Sequence, residues 1–288
     1  MAPAVRLAPA KVNLFLHVAP VEADGYHPLA TLAAFADLGD RLTVERAERL
    51  SLSVTGPFAD ALGDEGDNLV LRAVRALGAA AGIGEPPLRI TLDKQLPIAA
   101  GLGGGSSDAG AALKGARDAL GLSLDDAALA EIAAVVGADG PMCLHGRAAW
   151  ATGRGDRLDF EPALPALPCL LVNPGAASPT ASVYRGYDAG PVGAADRPPP
   201  PDAWTPQAVI AWLGEQRNDL EAAAAALQPA IGQALAEVQA LPGVRLVRMS
   251  GSGATVFGLF DTASAVGEAA RALRSRRADW WIRETVLA

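Results

Sequence analysis

Hydrophobic and polar positions alternate cleanly over residues 10–18: Val12, Leu14, Leu16 and Val18 share one face, and Lys11, Asn13, Phe15 and His17 share the other. A period of two is the mark of a β-strand, here with Lys11 and Asn13 side by side. Residues 42–54 also read as strand, and the charged Glu45-Arg46-Ala47-Glu48-Arg49 in their middle predicts a hairpin. Residues 69–77 form an amphipathic helical pattern that either Asp67 or Asn68 is suited to cap. A strand over residues 88–92 leads into Pro97-Ile-Ala-Ala-Gly101-Leu-Gly103-Gly104-Gly105-Ser106-Ser107-Asp108. Beyond it Ala109, Ala112, Leu113, Ala116 and Leu120 recur at helical spacing, with Ser106 or Ser107 as expected N-cap and Gly121 as the stop.

The second half continues in the same vocabulary. Ser123-Leu-Asp-Asp126 opens a helix that ends at Gly137, and Asp139 follows in a Gly/Pro-bounded turn. A short apolar strand lies within residues 165–173. The proline-rich stretch 191–201 reads as a surface loop, and Thr205-Pro206 as a helix start. Helices are expected over 219–227, 229–241 and 263–274, and strands over 244–249, 254–260 and 280–286. From Cys169 onward this order suits a ferredoxin-like split βαβ unit with extra helices.

Composition narrows the function classes. The chain has 288 residues, enough for about two domains. Half are hydrophobic and the mean hydropathy is +0.21, yet no apolar run reaches the roughly 18 residues of a membrane span. No signal-peptide pattern opens the chain, and Cys143 and Cys169 form no CxxC. A cytoplasmic location is therefore expected. A net charge of −8 argues against nucleic-acid binding, which relies on a basic surface, but leaves room for a small anionic ligand held by local donors.

The candidate chemistry centres on the glycine cluster. Glycines let the backbone approach a ligand closely, and a helix start offers unpaired N–H groups and a positive dipole end, so phosphate is the expected guest. No lysine follows in P-loop register, and the Rossmann spacing fails at Ser106 or Asp108. The loop is thus a third kind of phosphate cradle. Tyr26-His27 follows the Asp24-Gly25 turn, an aromatic and a histidine suited to stack on a base and read its edge.

Three separated signals combine: Ala10-Lys11-Val-Asn13-Leu, residues 101–107, and Ser250-Gly251-Ser252-Gly253-Ala-Thr255. Together they resemble the three motifs of the GHMP small-molecule kinase superfamily. Tyr26-His27, Asp67-Asn68-Leu, Gly137-Ala-Asp139-x-Pro141 and Val172-Asn-Pro174-Gly175 extend the likeness over nearly the whole chain. They direct it to the branch acting on 4-diphosphocytidyl-2-C-methyl-D-erythritol in the non-mevalonate (MEP) route to isoprenoids. The resemblance implies an α+β, two-domain fold: an N-terminal domain like ribosomal protein S5 domain 2 (residues 1–160), a C-terminal ferredoxin-like domain (161–288), and a cleft between them. It implies transfer of a phosphoryl group from ATP, with Mg²⁺, to the 2-hydroxyl of the erythritol portion.

Residue by residue, the likeness implies that Asp139 accepts the hydroxyl proton and Lys11 orients that hydroxyl and keeps Asp139 ionised. Asn68, Pro97, Ala99, Ala100, Gly101, Leu102, Gly103, Gly104, Gly105, Ser106 and Ser107 are implied for ATP. Tyr26 and Tyr184 are implied to sandwich cytosine while His27 reads its edge, with Asn13 and Thr180 on the diphosphate and erythritol end. No metal ligand is assigned. The small-molecule substrate is the implied partner, with the protein a monomer or weak homodimer. Gly140 departs from a usual branched aliphatic, which predicts a looser loop at Asp139, and Asp108 from a frequent asparagine. Tyr184 stands where phenylalanine is common. A homoserine or mevalonate-type kinase and a non-catalytic nucleotide-binding homologue are the competing readings.

Overall fold

The computed structural model describes residues 4–62 and 68–288, so Asp67 lies outside the described residues. In chain order the first elements are β1 Val5–Asn13, β2 His17–Val18, β3 Leu29–Arg46, β4 Ser51–Thr55, α1 Leu69–Ala80 and β5 Leu88–Asp93. Then come α2 Gly104–Leu120, α3 Asp126–Val136, α4 Gly140–His145, β6 Ala149–Gly153, β7 Arg157–Phe160 and β8 Leu167–Asn173. The chain closes with α5 Thr180–Asp188, α6 Pro206–Gly214, α7 Glu221–Leu227, α8 Pro229–Gln239, β9 Val244–Met249, β10 Val256–Phe260, α9 Ala263–Arg274 and β11 Trp281–Leu287. Among the described residues no helix is long and apolar enough to cross a membrane.

Two compact units share these elements. The first comprises residues 1–11, 38–98 and 103–146; the second comprises 12–37, 99–102 and 147–288. In the first, β5 lies between β3, its antiparallel partner, and β4, its parallel partner. The hairpin expected within residues 42–54 is therefore not formed. The charged break at residues 45–49 ends β3, but β4 pairs with β5, whose Leu88, Ile90 and Leu92 supply the buried face. Helices α1–α4 bury Val74, Leu77, Leu113, Leu129 and Leu144 against that face in one apolar core.

In the second unit the strand order is β11-β8-β10-β9, antiparallel throughout. That order is the ferredoxin-like one expected from the sequence. The first part of β3 pairs with β6 there, and β6 with β7. Val172, Val256, Phe260, Val238 and Leu273 form its core. Residues 29–37 gave no strand signal because the run is almost all apolar; both faces of the strand are buried, which erases alternation.

Candidate active site

The glycine cluster folds as a turn that starts α2. Gly103, at φ 62°, is the N-cap, in a left-handed conformation that glycine adopts without cost. Ser106 and Ser107, expected as caps, lie inside the helix instead; Ser107 Oγ donates to the Pro9 carbonyl at 2.7 Å. A glycine cap has no side-chain oxygen with which to satisfy the first N–H groups, so α2 begins with donors directed outward and no carboxylate in its first turn. The C-terminal expectation holds: Gly121 closes α2 at φ 68°.

Against this helix start stands an ion pair. Lys11 Nζ donates to Asp139 Oδ2 at 2.7 Å; the lysine side chain is 8% exposed and that of Asp139 39%. A Cβ on Gly103 would lie 3.2 Å from Lys11 Cβ and 3.4 Å from Cys143 Sγ, so the glycine is what lets the loop pass over the lysine. The Lys11 ammonium, outweighing burial, holds the Asp139 carboxyl below the usual carboxylate range. Burial pushes the neighbouring Cys143 thiol up to about 12, which leaves it un-ionised and chemically inert.

Asp139 is positioned by α4, a one-and-a-half-turn helix absent from the sequence reading. Asp139 is its N-cap residue, yet the carboxylate makes no capping bond and is given to Lys11. Gly140 does not loosen this segment, contrary to expectation. A Cβ there would stand 2.2 Å from the Ala133 carbonyl oxygen, so glycine brings α4 into closer contact with α3 than an aliphatic residue permits. Gly110 does the same from α2, where a Cβ would meet Leu144 Cα at 2.8 Å. Gly110→Val is accordingly expected to destabilise the protein by about 1–3 kcal/mol, as overpacked cores do, and to lower turnover by displacing Asp139. Thermal melts and single-turnover rates check both.

Beneath the loop lies a cluster that the sequence did not disclose. Lys94 Nζ donates to Asp108 Oδ2 at 2.7 Å and to Asp40 Oδ2, with all three side chains at most 3% exposed. Asp40 Oδ1 accepts from the backbone N–H groups of Gln95 and Leu96 at 2.6 and 2.8 Å, which fixes the chain just before the loop. The one available signal was a lysine directly ahead of a glycine loop with an acid soon after it. Asp108 thus points into the protein. Asn68 caps α1, its Oδ1 accepting from Val70 N at 2.8 Å.

In the second unit, pieces of all three motifs meet at Ser250. Asn13 N donates to Ser250 Oγ at 3.1 Å, and that hydroxyl donates to the Gly101 carbonyl at 2.8 Å. Thr255 N donates to the Ala100 carbonyl at 3.1 Å, and a Cβ on Gly101 would run into the Ser250 carbonyl. Residues 99–102 are thereby fastened to the Ser250–Gly253 turn. Asn13 Nδ2 donates to Thr31 Oγ1 at 3.0 Å, and Thr180 Oγ1 lies 2.9 Å from Ser252 Oγ.

The base-recognition candidates are in the same unit. His27 Nδ1 is 2.9 Å from the Ala19 carbonyl, an acceptor only, so Nδ1 carries the proton. Nε2 faces Asp188 Oδ1 at 3.4 Å, and the ring lies 4.8 Å, centroid to centroid, from that of Tyr184. Tyr26 is 57% exposed, with the Arg154 guanidinium 4.2 Å over its ring. Asp24 anchors Arg154 by an ion pair and accepts from Tyr26 N at 3.0 Å. Nothing local in the sequence marks Arg154, because Asp24 and Tyr26, its partners, lie some 130 residues earlier.

Comparison with known proteins sets the class first. The family model described as GHMP kinases N terminal domain matches residues 68–147, and that described as GHMP kinases C terminal matches residues 207–279. A 4-diphosphocytidyl-2-C-methyl-D-erythritol kinase of Caulobacter vibrioides is 51% identical over 284 residues, covering 98% of each chain. One from Hyphomonas neptunium is 48% identical over 95% of this chain and 93% of its own. A crystal structure of 4-(cytidine 5'-diphospho)-2C-methyl-D-erythritol kinase superposes with a TM-score of 0.79 at 38% identity, over 99% of both chains. The chain belongs to the 4-diphosphocytidyl-2-C-methyl-D-erythritol kinase family of the GHMP kinases. Homoserine kinase from Cytophaga hutchinsonii, at 18% identity and a TM-score of 0.67, shares the fold.

Proposed function

We propose that this protein phosphorylates the 2-hydroxyl of 4-diphosphocytidyl-2-C-methyl-D-erythritol at the expense of ATP, in the non-mevalonate route to isoprenoid precursors. The observation that carries the reading is the Lys11–Asp139 pair at 2.7 Å beside an uncapped, glycine-cradled helix start. The cradle suits a polyphosphate: side chains at Gly103 and Gly104 would meet Lys11 and Lys94, and the helix N-terminus favours negative charge. Residues 97–107 would hold the nucleotide phosphates, with Asn68 near the adenine. Mg²⁺, a hard cation bound largely through substrate phosphates, would accompany the nucleotide in this cradle. ATP with Mg²⁺ supplies the phosphoryl group when bound.

The chain's own residues orient the acceptor and move one proton. Lys11 holds the Asp139 carboxylate ionised and in place and offsets negative charge at the acceptor oxygen. Asp139 Oδ takes the hydroxyl proton. Because Lys11 lowers its basicity, that transfer comes late, as the new bond to phosphorus completes. Tyr26 and Tyr184 stack on cytosine, His27 reads its edge, and Asn13 and Thr180 hold the diphosphate and erythritol end.

The test is ATP consumption with Mg²⁺ and purified 4-diphosphocytidyl-2-C-methyl-D-erythritol, with homoserine and mevalonate in parallel. Turnover confined to the cytidine compound supports the reading, and turnover only on a simple alcohol overturns the substrate. Tyr26→Ala is expected to raise KM for the cytidine substrate by about 10–100-fold, the worth of one base–aromatic stack, with KM for ATP nearly unchanged. Equal loss for both substrates would sink the stacking assignment.

A further inference from the structure

The cluster under the nucleotide loop is unbalanced. Asp40 and Asp108 bring two carboxylates to one ammonium, and Asp108 Oδ1 is buried with no hydrogen-bond partner. Asp40 is well satisfied: its Oδ1 takes two backbone N–H groups and its Oδ2 takes Lys94. Any proton the cluster binds therefore belongs on Asp108 Oδ1. A buried, unpartnered, charged oxygen is far more costly than a buried hydroxyl. The cluster also touches the loop itself, since a Cβ on Gly104, the first residue of α2, would stand 3.2 Å from Lys94 Nζ and 3.6 Å from Asp40 Oδ2.

We propose that Asp108 takes up a proton on Oδ1 when a nucleoside triphosphate binds at the N-terminus of α2, so that ATP affinity is coupled to pH through this residue. The proposal rests on the reading of residues 97–107 as the phosphate-binding loop. The balance is simple: buffer gives up one proton, an O–H bond forms on Asp108, and the cluster passes from net −1 to neutral while the Lys94–Asp40 pair persists. The cause is like-charge repulsion. A polyphosphate set on the helix start adds negative charge above a low-dielectric site that already holds one excess negative charge.

The groups facing Asp108 are Lys94 from the segment after β5, Asp40 from β3 and, on α4, the un-ionised Cys143 thiol. Burial, reinforced by Asp40 and opposed by Lys94, pushes the Asp108 carboxyl up to about 7. The sign follows from that. Binding that favours the protonated form must weaken as pH rises through the neutral range, and by reciprocity ATP must raise the proton affinity of Asp108.

The experiment is calorimetric titration of the full-length protein with the non-hydrolysable β,γ-methylene analogue of ATP at pH 7.5. Buffers of different ionisation enthalpy are used, and wild type is compared with Asp108→Asn. The amide keeps an acceptor for Lys94 but has no proton to gain, and the analogue's own protonation is common to both proteins. Wild type is expected to take up roughly half a proton more than the variant. Its dissociation constant is expected to rise about 3–10-fold more than the variant's between pH 6.5 and 8.5. Equal proton counts and parallel pH profiles overturn the proposal. If the variant does not fold, wild type alone decides, because no uptake beyond that of the analogue from pH 6 to 9 is equally fatal. Gly105→Val separates the premise: if this variant folds and binds the analogue as wild type does, the loop reading fails. If binding is lost while the wild-type and Asp108→Asn proton counts agree, only the present proposal fails.

Discussion

Asp139→Asn is expected to lower turnover by about 10²–10⁴-fold, the usual worth of a positioned general base, while leaving the binding of both substrates nearly intact. The asparagine is isosteric, retains an oxygen for Lys11, and cannot accept the acceptor's proton. Loss of kcat without a comparable change in KM is the signature of an interaction made only in the transition state. Unchanged turnover would remove Asp139 from the mechanism. The pH profile carries a second reading of the same pair. Because Lys11 keeps Asp139 below the ordinary carboxylate range, the ionised, active form persists to low pH and the acid limb of kcat falls there. Lys11→Met withdraws the cation while burial remains, so the acid limb is expected to move up in pH as well as in the direction of lower rate.

Lys94→Met is the variant with the largest expected effect on stability. It leaves Asp40 and Asp108 facing one another without their shared ammonium, at 0% and 3% side-chain exposure. Breaking a buried ionic group by removing one partner costs about 3–5 kcal/mol, because the charge left behind is neither hydrated nor paired. The sign with pH is definite. With the ammonium gone, the Asp108 carboxyl, already raised by burial, binds its proton more tightly still, so stability is regained as pH falls and is poorest above neutrality. Chemical denaturation at pH 5 and pH 8 measures it. Lys94→Met combined with Asp108→Asn is expected to recover part of the loss at pH 8, since one of the two stranded charges is gone. A mutant as stable as wild type at both values would show that the cluster contributes nothing to the fold.

Much of this was legible in the chain, and the exceptions have physical causes. The helix α1 with its Asn68 cap, the Gly121 stop, the Thr205-Pro206 start and the order of the C-terminal strands all rest on local rules that tertiary structure did not override. The Lys11–Asp139 partnership came from family likeness, not spacing, since 128 residues separate the two. What local rules missed was set by packing. Ser106 and Ser107 look like caps, but Gly103 takes the role because the helix starts earlier, where Gly104 lies against Lys94. The break at residues 45–49 looks like a hairpin, but β5 offers the better apolar partner. Asp40 sits 54 residues from Lys94, and only the folded sheet brings them together. Gly140 carries no local sign of its role for the same reason, because the atom it makes room for, the Ala133 carbonyl oxygen, belongs to another helix.

The interleaving of the two units along the chain has a consequence for how the protein comes into being. The first unit draws on no residue beyond 146, so its sequence is complete well before the later part of the second is made. The second unit's residues 12–37 are made early, yet Ala36 pairs with Leu287, on a strand far downstream in the sequence. For most of translation those early residues, Val12, Leu14, Leu32 and Phe35 among them, wait without the partners that finally bury them. A fragment cut after residue 160 would be left in the same condition permanently, holding a complete first unit and an orphaned stretch of apolar strand.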